Sequence, residues 1–67
     1  MNKAKEIEKR AINLLKAINR LDEVGLKKTD NICDRLSMIL SDQTERLYYE
    51  FNYTSSQINE VLLKAGN

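Results

Sequence analysis

The 67-residue sequence contains no histidine, proline or tryptophan, has one cysteine, and carries glycine only at Gly25 and Gly66. With no histidine and a single thiol, no zinc-ligand set can be assembled, and one cysteine cannot close an intramolecular disulfide. Both common staples of small domains are therefore unavailable, although a chain this short buries only about 60% of the surface its unfolded form exposes. Self-association is the remaining common route to stability. Long apolar runs are missing too: the longest are three residues, "MIL" at Met38–Leu40 and "VLL" at Val61–Leu63, against the ~20 that a bilayer-spanning helix needs. The N-terminal stretch has no apolar segment of the signal-peptide kind. These absences predict a cytoplasmic chain with no membrane contact, and Cys33 agrees as a small buried hydrophobe in a reducing compartment. Without histidine, a glycine-rich phosphate loop or carboxylates paired in an apolar setting, the sequence offers no catalytic constellation and implies no cofactor. It reads as a non-enzyme.

What is present is a soluble, foldable mixture, 42% hydrophobic and 31% charged, too apolar to be disordered by composition. No window alternates apolar and polar residues as a half-buried strand would, so the chain reads as a single all-α domain over residues 1–67. In the first segment Ala4, Ile7, Ala11, Leu14, Ile18 and Leu21 recur at spacings of three and four, a heptad seam that Leu15 widens. Asn2 supplies the expected N-cap and Gly25 a helix stop, which places the first helix at about residues 3–24. "GLKKTDN" follows as a loop, with Thr29 or Asp30 capping the next helix.

The second pattern sets Cys33, Leu40, Leu47, Thr54 and Val61 against Ser37, Thr44, Phe51, Ile58 and Ala65, and it keeps one register from Cys33 to Ala65. That periodicity favours one helix of about 35 residues, roughly 53 Å long. Local signals oppose it. Thr54 and Gln57 have the spacing of a capping box, and Tyr53 and Ile58 that of a hydrophobic staple. A break near residues 52–54, giving a three-helix bundle, is the alternative. The continuous helix is preferred because burying Phe51 and Ile58 on one stripe, at about 2 kcal/mol each, outweighs propensity differences of a few tenths. A first helix of about 33 Å then leaves the second overhanging. Its exposed Ile58, Val61 and Leu62 predict an antiparallel hairpin that dimerises into a four-helix bundle.

Charge divides along the chain. Residues 1–28 carry eight cations against four anions, and the remainder three against six, so a basic helix beside an acidic one is the simple expectation. Lys5, Lys9, Lys16 and Arg20 fall on one side of the first helix, opposite the Ile7/Leu14/Ile18 stripe. They form the candidate nucleic-acid face, without the interleaved aromatics that strengthen such surfaces. On the second helix Tyr49 and Tyr53, with Met38 and Arg46, project away from the seam. Exposed tyrosines beside an arginine have the composition of a protein interface, so these four are the candidate protein-binding residues.

"LLKAINRLD" (Leu14–Asp22), then "DNICDRL" (Asp30–Leu36) and "ERLYYEF" (Glu45–Phe51), resembles the plasmid Rop family. The resemblance covers about half the chain. It implies an antiparallel hairpin that dimerises, and Ala4 and Ala11 against Ile7 and Leu14 are similar to that family's alternating small and large core layers. The family's RNA-gripping face includes an aromatic for which this sequence has Glu6, and no aromatic precedes Tyr48. The functional expectation is accordingly a non-enzymatic binding or regulatory protein acting through protein contacts, as a homodimer. A nucleic-acid-binding regulator is the alternative.

Overall fold

The protein's structure, a computed structural model, describes residues 2–24 and 32–66. Helix α1 runs over Lys3–Glu23. It begins there because Asn2, in an extended conformation, accepts a hydrogen bond from the Lys5 N–H at 3.3 Å and so satisfies one of the first-turn amides that lack a helical partner. At the other end the Val24 N–H donates to the Arg20 carbonyl at 3.1 Å. The stop expected at Gly25 and the caps expected at Thr29 or Asp30 lie outside the described residues.

Helix α2 spans Ile32–Phe51 and helix α3 spans Ser55–Leu63, followed by one 3-10 turn at Lys64–Gly66. The long second helix expected from periodicity is thus corrected to two helices. Asn52 stands at φ 59°, in the left-handed region that asparagine tolerates better than most residues. Beyond it the Tyr53 N–H turns back to the Leu47 carbonyl at 3.0 Å, closing α2 as left-handed C-terminal caps do. The next helix then starts on a complete capping box. Gln57 N–H donates to Thr54 Oγ1 at 3.1 Å, and Thr54 N–H donates to Gln57 Oε1 at 2.8 Å.

The physical reason for the break lies in what it covers. Phe51, Tyr53 and Ile58 pack on a core of Ala4, Ile7 and Leu47, so the fold-back buries within one chain the surface that a straight helix would leave to a partner. The molecule measures 36 × 22 × 22 Å, shorter than the roughly 53 Å of an unbroken helix. The heptad register survived the break only because a three-residue corner returns Ile58 and Val61 to the same side. Thr54, assigned to that seam, is exposed.

Within α2 the inward face is also rotated from the one expected. Cys33, Gln43 and Leu47 are buried, with Leu36 and Leu40 half-buried, whereas Ser37 is exposed. Thr44 is half-buried and turns its hydroxyl back to donate to the Ser41 carbonyl at 2.9 Å. In α1 the seam holds: Ala4, Ile7, Ala11 and Ile18 are buried and Leu14 and Leu21 half-buried.

Helices α1 and α2 are antiparallel, since Ala4 and Ile7 meet Leu47 at one end while Leu21 and Val24 share a surface with Ile32 and Leu36 at the other. Helix α3 runs back alongside α1, from Tyr53 against Glu8 to Ala65 and Gly66 beside Lys16 and Arg20. It covers one side of the α1–α2 pair. The seat of Thr54 fixes the sign of one stability change. Thr54→Val removes the oxygen that receives the Gln57 amide and should cost about 1 kcal/mol, the reverse of the tolerance expected of an interior helix position. A urea midpoint equal to or above that of the parent chain would count against the cap.

Candidate functional site

Of the four residues expected to contact a protein, the structure leaves two fully on the surface. Met38 is 73% exposed and Tyr49 75%. Arg46 is half-buried, its Nε donating to Glu50 Oε2 one turn on at 2.9 Å, so its charge is already answered within α2. Tyr53 belongs to the corner after α2, and its ring is half-buried on the core. Tyr49 is instead accompanied by its neighbour Tyr48, whose ring stands edge-on to it with centroids 4.9 Å apart. The pair borders a shallow hollow shared with Ser55, Ile58 and Asn59 of α3.

The Tyr53 hydroxyl donates to Glu8 Oε2. Glu8 is buried on the α3 side of α1, next to Ile7 and Ala11, and Lys5 Nζ approaches its other carboxylate oxygen at 3.8 Å. This hydrogen bond raises the Tyr53 pKa above its ordinary value, with burial and the negative charge of Glu8 adding in the same direction. The contact was not read from the sequence. The staple signal located Tyr53, but the polar tip of a tyrosine needs a partner when buried, and Glu8 looked like one more solvated helix charge.

The four cations of the candidate nucleic-acid face, Lys5, Lys9, Lys16 and Arg20, are all exposed on α1. They do not make an undivided positive surface. Lys5 leans on Glu8, and Lys16 and Arg20 share the hollow at the foot of α3 with Asp22 and Glu23. Cys33 is buried with its thiol free. Among the described residues no group of three or more histidine, cysteine or acidic side chains is placed to hold a metal ion. Among them, too, no helix is long and apolar enough to cross a membrane.

An apolar feature lies on the side of the α1–α2 pair that α3 leaves bare. Two shallow hollows, of about 330 and 390 Å³, meet at Ala17 and form a groove between the helices. Leu14, Ala17 and Leu21 of α1 face Ile32, Leu36 and Ile39 of α2 across it. Ile32 is 45% exposed and Ile39 48%. Arg10, Asn13 and Gln43 close one end, and Arg20 and Val24 flank the other. Gln43 is buried, and its Oε1 is, among the described residues, a side-chain oxygen with no hydrogen-bond donor.

This groove was missed because each helix was credited with a single seam. Its signal was nevertheless present as a second apolar row in each. Leu14, Ala17, Leu21 and Val24 are spaced by three, four and three, and Ile32, Leu36 and Ile39 by four and three. An apolar arc that wide faces two neighbours.

Fold and surface together define a small all-α protein of three helices with an open apolar groove. No family model matches the chain, and no curated protein or solved structure is similar to it.

Proposed function

We propose that this chain is a non-enzymatic binding protein that acts through protein–protein contact, with the α1–α2 groove as its contact face. The observation that carries the reading is the exposed, continuous apolar lining of that groove, with no segment of the chain placed over it among the described residues. Self-association is the second reading. Two α1–α2 pairs set groove to groove would bury both linings around a four-helix core, a different contact from the one expected of an overhanging second helix.

Ile39→Glu tests the contact face, because half-exposed Ile39 can carry a charge with a stability change of about 0.5 kcal/mol or less. A protein recovered with the tagged parent chain should be lost with this variant while the melting curve holds. Retention of that partner by Ile39→Glu would place the contact elsewhere, with Tyr49→Ala the next substitution to make. RNA or DNA binding that falls steeply with salt, and vanishes when Lys5, Lys9, Lys16 and Arg20 are changed to glutamine, would overturn the protein-contact reading in favour of a nucleic-acid regulator.

A further inference from the structure

Among the described residues, the charged ones that line the groove are both arginines. Arg10 borders one half and Arg20 the other, and no carboxylate lines either half. Neither guanidinium makes an ion pair or side-chain hydrogen bond with a described residue. This contrasts with Arg46 and Lys5, each of which has a carboxylate partner.

We propose that the groove takes an amphipathic helix from another protein, one whose apolar stripe is flanked by acidic residues that meet Arg10 and Arg20. This rests on the groove being the contact face, as argued above. The dimensions suit such a ligand. From Arg10 to Val24 the groove follows α1 for about 21 Å, the length of a helix of about 14 residues. Leu14, Ala17 and Leu21 on one wall and Ile32, Leu36 and Ile39 on the other receive anchors spaced i, i+3/i+4 and i+7. Ala17, the smallest lining residue, marks the centre where the incoming backbone comes closest. Arg10 and Arg20 stand about 15 Å apart along α1. Carboxylates about eleven residues apart on the ligand, which return to one face after about three turns, match that separation.

Charge also argues against a second copy as the occupant. A two-fold contact uses the same patch on both subunits, so a groove-to-groove dimer would gather two copies each of Arg10 and Arg20 with no carboxylate among the lining residues. An acidic helix supplies the opposite charge and steers its own approach.

The test uses the full chain and three synthetic helical peptides with one Leu/Ile stripe, differing only in two flanking residues eleven apart: Glu, Gln or Lys. Calorimetric titration at low salt should rank them Glu, Gln, Lys, with the Glu peptide about tenfold tighter than the Gln peptide, as two rim ion pairs allow. The gap should close in the Arg10→Gln/Arg20→Gln variant, whose two positions are exposed and whose melting curve should match the parent. Equal affinity of the Glu and Gln peptides would overturn the acidic specificity and leave the groove as a contact face. Failure of all three peptides to bind a chain that sediments as a 7.8 kDa monomer would overturn both. A dimer that Ile39→Glu dissociates would assign the groove to a second copy and overturn the proposal.

Discussion

Leu47→Asp should leave the chain without a folded state at any accessible concentration. Leu47 is fully buried, and it is the largest side chain with essentially no exposure. It holds Ala4 and Ile7 of α1 against Phe51, Tyr53 and Ile58. A domain of this length is stable by about 3–10 kcal/mol in total. An aspartate there forfeits the leucine's burial and places an unpaired carboxylate in the apolar centre, a change of several kcal/mol that takes most or all of that margin. Loss of helical circular dichroism in Leu47→Asp, with Met38→Asp as the exposed control in the same helix, is the expected pattern. The graded version, Leu47→Ala, should cost about 2–5 kcal/mol. Cooperative unfolding of Leu47→Asp near the parent's denaturant midpoint would mean that the core lies elsewhere.

Tyr53→Phe carries the second large effect. It removes the hydroxyl that donates to Glu8 and leaves a buried carboxylate with, among the described residues, the Lys5 ammonium at 3.8 Å as its partner, which should cost about 1–3 kcal/mol. The loss should be less than additive with Glu8→Met, because once the carboxylate is gone no orphan acceptor remains. A pH signature accompanies the bond. The folded pKa of Tyr53 is raised, first by the hydrogen bond to Glu8, then by burial and the charge of Glu8. The neutral phenol is therefore the form the fold prefers. Its contribution is complete below the unfolded value of about 10, and it is lost as pH rises through the raised folded value. Thermal midpoints of the parent chain should fall more steeply than those of Tyr53→Phe on the alkaline side of pH 10. Superimposable curves for the two, with equal stability at neutral pH, would deny the bond any energetic role.

How far the sequence disclosed this architecture depends on which level of interaction is asked. The α1 seam was legible because Ala4, Ile7, Ala11 and Ile18 keep to one side of the helix through about four turns, and a single periodicity describes that. The Asn2 cap was legible because capping depends on residues within one turn. The corner at Asn52 was visible in the same local terms, as a capping box and a staple. It was outweighed by a register that continued through it, since a period says which side a residue lies on and nothing about whether the axis turns. What stayed hidden depends on three elements meeting. The burial of Glu8 and the exposure of Thr54 both follow from where α3 lies. That placement is tertiary. The groove sits between these cases, its two apolar rows written in the sequence but interpretable only once α3 is known to occupy the other side.

The nine residues of α3 set its dynamic behaviour. A helix below about 12 residues is marginal in water by itself, so α3 exists as a helix only while Tyr53, Ile58 and Val61 are docked. Undocking and unwinding are then one event, and the Asn52 corner is its pivot. That event is a sub-global opening with a free energy of its own, below that of full unfolding. It exposes Ala4, Ile7 and Leu47 on the side of the α1–α2 pair opposite the groove. The chain thus has two apolar faces, the groove and one that opens transiently, and the second is where unfolding and aggregation would start.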